Sequence, residues 1–399
     1  MHPAFPLDDV QLNKPLAMFR YKLTDPKTAK CASTQAQQED TPQGEAIEYA
    51  RGQSPIFHLP VEILQHIFRL AALPHLWIRA PLVLSFVNSH FRTIVLDTPS
   101  LWTAVDNTLP LPILQLYIAR SRNEPLDVLT KADSTWSKED ILGPLNVEST
   151  RIKHMAVVGS HPDFLSDWAR QIDRDDEGFM FTSLTKLALR VINGTRDRTF
   201  CPTWVNFPSL RELWIQGCWC RGWVGPGDPF PPTLQRLRLS KVSPVCLVVL
   251  INALDGVLGL VDLVMEDFAL DPDELSVPET RSRVTLDFLE ELGFVNFSIA
   301  DINIISRYVS TPNLSTLSIT SSGPSDGIAD FLLPFSDHHP HLSSLCILGF
   351  NLELGGLKHA LHNLINLTHL RICAFGLTDD DLALLKEGTL FPRLTVVIS

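Results

Sequence analysis

Leu184-Thr185-Lys186-Leu187-Ala188-Leu189 is followed by Leu210-Arg211-Glu212-Leu213-Trp214-Ile215, Leu234-Gln235-Arg236-Leu237-Arg238-Leu239 and Leu260-Val261-Asp262-Leu263-Val264-Met265. The same Leu-x-x-Leu-x-apolar signature continues at Leu289-Leu292-Phe294, Leu314-Leu317-Ile319, Leu342-Leu345-Ile347 and Leu367-Leu370-Ile372. A degenerate copy, Ile152-Met155-Val157, stands before the series, and Leu394 with Val397 ends it. From Leu184 to Leu394 successive starts are 26, 24, 26, 29, 25, 28, 25 and 27 residues apart.

Side chains alternate along a strand, so the second Leu and the apolar residue two positions on share one face. Each copy therefore predicts one short parallel strand, with the first Leu turned inward just before it. A single copy could not bury its apolar side, and stacking neighbours buries it. Pro208, Pro232, Pro312 and Pro392 precede several copies and predict a fixed, extended entry to the strand. Helix-sized segments lie between the strands: Val245–Val257, Ala300–Val309, Gly327–Phe335, Gly356–Leu364 and Asp379–Glu387. A period of 20–29 residues is that of leucine-rich repeats. The expected fold is α/β, an irregular leucine-rich-repeat solenoid over residues 126–399 with parallel strands on the concave side and helices on the convex side. Its outward strand positions include Lys186, Ala188, Glu212, Trp214, Arg236 and Arg238, a mixture that specifies no ligand class.

The strict repeat places Asn or Cys five residues after the second Leu. Cys218 fits, whereas Ile192, Val242, Phe268, Phe297, Ser322, Phe350 and Phe375 hold the equivalent positions. The solenoid is thus degenerate, with apolar packing where a polar ladder would run.

The 399 residues carry 33 Lys+Arg against 45 Asp+Glu, a net charge of −12, and are 45% apolar. That length buries a sizeable core, and the acidic balance argues against nucleic acid or an anionic membrane as the partner. Seven Cys, an odd number in a long chain, suit reduced thiols in the cytoplasm or nucleus. No signal peptide stands out, and Asp255 and Asp262 interrupt the most apolar window, Val245–Met265. Residues 1–53, including the polar stretch Cys31–Ala46, read as a disordered tail.

Between tail and repeats, residues 54–125 read as a small helical domain. In HLPVEILQHIFRLAALP (His58–Pro74), Pro60 suits the first helical position and Glu62 the first turn. Ile63, Ile67 and Leu70, beside Leu64 and Phe68, follow amphipathic spacing, and Pro74 stops the helix. A second helix is predicted from Pro81 to about Leu96, with Leu84, Val87, Phe91, Ile94 and Val95 in one stripe, broken by Thr98-Pro99. Leu101 and Trp102 form an apolar plug, and a third helix runs from Pro112 to Arg122 with Leu114, Tyr117 and Ile118.

Leu59-Pro60-Val61-Glu62-Ile63-Leu64-Gln65-His66-Ile67-Phe68 resembles the opening of an F-box, Leu-Pro-x-Glu-Ile-Leu-x-x-Ile-Phe. Leu84 to Val95 resembles its second part, with Asn88, Ser89 and Phe91 where Cys, a basic residue and Trp are usual. Thr98 to Trp102 and the run into Glu124–Val128 look like the F-box proteins abundant in mushroom-forming (basidiomycete) fungi, in which a leucine-rich-repeat-like domain follows. The resemblance implies a non-catalytic substrate receptor of an SCF-type (cullin–RING) ubiquitin ligase. The F-box would dock on the small adaptor protein, and the solenoid would hold a target protein for ubiquitin-dependent degradation. Leu59, Pro60, Ile63, Leu64, Ile67 and Phe68, completed by Leu84, Val87 and Phe91, would meet the adaptor or support the surface that does. The alternative is a solenoid scaffold unconnected to ubiquitin, its F-box-like segment only a cap on the first repeat.

No phosphate-binding loop, dinucleotide fingerprint or His-Glu-x-x-His occurs. No cofactor and no metal is expected. Cys201, Cys218 and Cys220 make at most half a zinc site and read as reduced core thiols. Asp337-His338-His339-Pro340-His341 reads as a solvated loop ahead of a strand, and Trp214, Trp219 and Trp223 as packing between repeats.

Overall fold

The computed structural model describes residues 55–72, 78–132, 145, 147–174, 180–192, 204–218, 230–242, 245–267, 270, 283–325, 327–351, 361, 364–375, 383 and 394–398. The tail 1–53, Pro74, Cys201, Trp219, Cys220, Trp223, Phe268 and Pro392 lie outside these residues, as do the segments 356–360 and 379–382. The chain forms two compact units, Met1–Leu59 and Pro60–Ser399. In the first, Pro55–His58 is a 3-10 turn, and Leu59 donates its N–H to the Ile56 carbonyl at 3.4 Å.

The second unit opens with three helices, α1 (Val61–Ala72), α2 (Ala80–Val87) and α3 (Ser89–Leu96). Pro60 ends the preceding chain, and its carbonyl accepts the N–H groups of Ile63 and Leu64 at 3.0 and 3.1 Å. The helix expected over 81–96 is two helices. Asn88 takes an extended conformation (φ −164°, ψ 176°), and its side-chain oxygen accepts the Phe91 N–H at 2.7 Å. Asn is among the best N-cap residues because it satisfies a donor that the first turn leaves orphaned. A capped start within the predicted stripe therefore ends one helix and begins another.

Strand β1 (Ala104–Asp106) begins the sheet ahead of residue 126, inside the stretch read as helical, and pairs in parallel with β2 (Leu126–Lys131) across helix α4 (Leu111–Ser121). The apolar plug is buried as expected: Trp102 donates its indole N–H to the Val95 carbonyl at 2.9 Å and meets Tyr117 edge-on at 5.0 Å. The Tyr117 hydroxyl in turn donates to the Ile78 carbonyl at 2.5 Å, and burial pushes its pKa upward. Three residues of strand give too little alternation to be seen in a sequence.

The sheet continues in chain order through β3 (Ile152–Gly159), β4 (Lys186–Val191), β5 (Glu212–Gln216), β6 (Arg236–Ser240), β7 (Asp262–Glu266), and, after the short β8 (Val284–Thr285), β9 (Glu291–Val295). After β10 (Val309–Ser310), which pairs with β8, come β11 (Thr316–Ser325), β12 (Ser344–Asn351), β13 (His369–Phe375) and β14 (Thr395–Ile398). Among the described residues one sheet of 12 strands, each parallel to the next, runs β1-β2-β3-β4-β5-β6-β7-β9-β11-β12-β13-β14. Strictly sequential parallel pairing at the repeat period is a solenoid. Helices α5 (Pro162–Arg174), α6 (Leu247–Asp255), α7 (Ile299–Tyr308) and α8 (Ile328–His338) occupy connections, and α5 packs on β3 and β4.

The repeat Leu residues act as their spacing requires. Leu187, Leu213, Leu237, Leu263, Leu317 and Leu345 are buried, as are Leu189, Ile215, Leu239, Met265, Ile319 and Ile347 two positions on. Each such side chain contributes about 1.5–3 kcal/mol by leaving water. The first Leu of each copy from Leu184 to Leu367 is buried, and several close a tight turn: the N–H groups of Leu210, Leu234, Leu314 and Leu342 bond the carbonyls of Phe207, Pro231, Thr311 and His339 at 3.0–3.1 Å. Pro208, Pro232 and Pro312 therefore occupy the second position of a turn rather than an extended entry, because the fixed φ of Pro is what that position needs.

A second turn ends β5, β6, β7 and β9, and a bulge inside β12 stands at the matching position. Gly217, Lys241, Asp267, Asn296 and Gly349 all have positive φ, from 46° to 81°. At Gly217 and Gly349 an added Cβ would stand 2.2 Å from the carbonyl oxygens of Val191 and Ser321, so no side chain fits. The left-handed residue swings its successor under the sheet, and Cys218, Val242, Phe297 and Phe350 are all buried there. Val191 lacks this conformation, and Ile192, expected in the same apolar row, is exposed instead.

Candidate functional site

The helical module divides the sequence-selected residues by helix geometry. Leu64, Phe68 and Phe91 are buried, Phe68 and Phe91 meeting edge-on with ring centroids 4.9 Å apart. They are the module's own core and support its surface rather than forming it. Ile63 and Ile67 each precede a buried residue by one position, about 100° round α1, and are 47% and 37% exposed, with Leu70 and Val61 also exposed. Pro60 is exposed, Leu84 is half-buried, and Leu59 belongs to the first compact unit. Val87 departs from the predicted buried stripe and is 55% exposed, because the break at Asn88 takes it out of phase with Phe91.

Sequence reasoning missed Phe86, 76% exposed, and Val83, exposed on the same helix. In a single continuous helix 81–96 they would fall off the stripe as ordinary surface. With α2 separate, Val83, Phe86 and Val87 form an apolar row at i, i+3, i+4 spacing. Since α1 and α2 are in contact, two uncovered apolar rows sit on one small module. Exposed apolar residues in numbers, as opposed to singly, are the mark of an interaction surface.

The second candidate is the sheet face whose side chains alternate with the buried ones. In register across it stand Asp127, His154, Lys186, Glu212, Arg236, Asp262 and Glu291. His154 Nδ1 lies 2.7 Å from the Asp127 carboxylate, Lys186 2.7 Å and Arg236 2.8 Å from the two oxygens of Glu212. Burial first, and the adjacent Glu291 second, push Asp262 up to about 6, with Arg236 and Arg238 pulling the other way. Trp214 is not packed between repeats by apolar contact alone: the Arg238 guanidinium stands 5.1 Å over its ring and pairs with Glu266 at 2.7 Å. Buried polar atoms without a protein partner gather there too, at Arg190 Nε, Trp214 Nε1, Gln216 Oε1, Arg238 Nε and Ser240 Oγ. On β11 and β12 the register positions turn neutral, with Thr316, Ser318, Ser344 and Cys346, before His369 and Arg371 follow on β13.

Two sequence-selected clusters resolve into structure. Cys218 is buried, which pushes its thiol up to about 12 and leaves it protonated and inert. Of the histidine run, His338 and His341 are exposed as expected, but His338 ends α8 and His339 is buried against Phe335, with ring centroids 3.9 Å apart. Its Nδ1 lies 3.0 Å from the Thr311 carbonyl, and burial lowers its pKa to about 4. His339 opens the turn closed by Leu342, and that inward place decides its fate. Among the described residues no group of three or more His, Cys, Asp or Glu could hold a metal ion, and no helix is long and apolar enough to cross a membrane.

No protein-family model matches the chain, and no curated protein matches it by sequence. Among solved structures it is similar to the crystal structure of a TLR13–ssRNA13 complex, at 12% identity and a TM-score of 0.25 over 74% of this chain and 54% of that one. It is also similar to a leucine-rich-repeat protein of Leptospira interrogans, at 12% identity and a TM-score of 0.19 over 62% of this chain and 90% of that one. The chain spans about half the length of the first. At these values the solenoid assignment rests on the chain's own ladder of parallel strands.

Proposed function

We propose that the chain is a non-catalytic substrate receptor of an SCF-type ubiquitin ligase, docking through its F-box-like helices on the small adaptor and presenting a target protein on the solenoid. The observation that carries this reading is the pair of uncovered apolar rows, Ile63, Ile67 and Leu70 on α1 and Val83, Phe86 and Val87 on α2. A module built only as a cap would turn such residues onto the sheet. Here the core is closed by Leu64, Phe68, Phe91, Ile94, Val95 and Trp102, and the rows are left over. Such a receptor performs no bond chemistry. It raises the local concentration of the target near the ubiquitin-charged enzyme.

Co-expression with the adaptor, followed by size-exclusion chromatography and mass measurement, tests this. A stable one-to-one complex, lost in Ile63→Asp/Ile67→Asp, is the expected result. A folded chain that ignores the adaptor sinks the proposal. In that event a second reading stands, a leucine-rich-repeat scaffold whose helices only cap the sheet. It is favoured by α4, which packs on the edge strand β1.

A further inference from the structure

A groove of about 590 Å³ crosses the ends of five successive strands, where the chain enters β2 to β6. It is lined by Asn123 and Pro125 ahead of β2, by Thr150, Arg151 and Lys153, by Ser183 and Thr185, by Pro208, Ser209 and Arg211, and by Thr233. Three of these residues are basic and five carry hydroxyls, while none is acidic. On a chain of net charge −12 such a lining is a local positive island.

The three cations differ in availability. Arg151 is engaged inside the fold, reaching Glu148 at 2.6 Å and the Ser121 hydroxyl and Glu124 carbonyl at 2.9 Å. It shapes the groove wall. Lys153 and Arg211 are exposed. They occupy one line across the sheet, with Thr185 between them: the Thr185 N–H bonds the Lys153 carbonyl at 2.8 Å, and the Arg211 N–H bonds the Thr185 carbonyl at 3.0 Å. Adjacent strands are ~4.8 Å apart, so two steps separate the cation positions by ~10 Å. A peptide in the polyproline II conformation rises ~3.1 Å per residue with three residues per turn, so its residues i and i+3 face the same way ~9 Å apart.

We propose that this groove binds an acidic segment of the target protein in the polyproline II conformation, running across the strand ends with two carboxylates three residues apart, one on Lys153 and one on Arg211. The proposal rests on the reading of the solenoid as the target-binding part and is independent of adaptor docking. Cations ~10 Å apart suit two separate carboxylates better than one phosphate, which needs its donors to converge on a single group. The overall negative charge repels a long polyanion such as nucleic acid, whereas a short acidic segment meets only the local field.

Selection from a random dodecapeptide display library on the full-length chain tests the proposal. The expected result is enrichment of Asp or Glu at i and i+3, with synthetic peptides from the enriched set weakened at least tenfold by Lys153→Glu and by Arg211→Glu. Both residues are exposed, so thermal unfolding should be unchanged. Arg371→Glu, exposed on β13, should bind like wild type. Peptides without acidic bias, indifference to both variants, or failure to enrich any sequence would overturn it. So would tighter binding of a phosphopeptide or a single-stranded RNA of matched length through the same two residues. Adaptor co-purification by the same variants separates this outcome from failure of the ligase reading.

Discussion

The helical module and the sheet bury apolar residues by different rules, and they leave different things outside. In the sheet every second residue of a strand points inward, so apolar and polar residues separate by alternation: Leu237 and Leu239 are buried while Arg236 and Arg238 remain on the other face. The uncovered face is therefore polar, and its charges neutralise one another in register from Asp127 to Glu212 and Arg236. In the module a short helix turns apolar residues through all directions, and four helices are too few to cover them. Ile63, Ile67, Val83, Phe86 and Val87 stay in water. One region thus offers apolar area, suited to a constitutive partner, and the other offers charge and hydroxyls, suited to recognition by complementarity.

The largest effect expected from breaking this contrast is at the module's core. Phe68→Asp places a carboxylate where Phe91 packs and should cost about 3–5 kcal/mol, read as a loss of cooperative unfolding at low denaturant. Ile63→Asp/Ile67→Asp, on the exposed row of the same helix, should stay within about 0.5 kcal/mol per site yet abolish adaptor binding. Equal destabilisation by the two changes would remove the distinction between core and surface in α1. Next comes Leu237→Ala in the sheet, for which about 2–4 kcal/mol is expected from lost burial and the cavity left, whereas Arg238→Ala on the adjoining position should cost about 1 kcal/mol. A loss at Arg238 matching that at Leu237 would show the open face to be as structural as the core.

Gly349→Ala sharpens the account of the strand-end turn. With φ at 81° and the Ser321 carbonyl in the way, about 1–3 kcal/mol is expected, while Lys241→Gly, which relaxes a left-handed residue, should be neutral or slightly stabilising. Denaturant midpoints of the pair check this. The smallest effect is at Asp262. Its pKa in the fold, about 6, lies above the ordinary 3.8, so ionisation disfavours the fold. The penalty is absent below about 4, grows as pH rises through the window, and is complete above about 6. Asp262→Asn should raise Tm by about 1–2 °C near pH 7.5 and leave it unchanged near pH 4. A gain of equal size at both pH values would refute the assignment.

Legibility followed the length of each pattern. The repeat strands were readable because Leu187 and Leu189, or Leu317 and Ile319, recur at a fixed period over many copies. β1 was not, since three residues carry no periodicity. The break at Asn88 was hidden because the apolar spacing reads on from Val87 to Phe91 across it, and its cap is a matter of one side-chain bond from the Phe91 N–H. His339 looked like loop because its neighbours are polar, although the turn it opens belongs to the interior. Of the candidate docking residues, the motif singled out Ile63 and Ile67 together with Leu64 and Phe68, and could not sort them.

The amino-acid sequence by itself determined that the chain builds an α/β solenoid of parallel strands, because a two-residue alternation repeated at a constant interval has one way to bury its leucines. Only the tertiary structure decided which apolar residues of the helical module face water, where the sheet begins, and that Lys153 and Arg211 stand two strands apart along one groove. Those are distances between residues far apart in the chain. They are set by how turns, caps and strand registers close on one another, and no local pattern of residues encodes them.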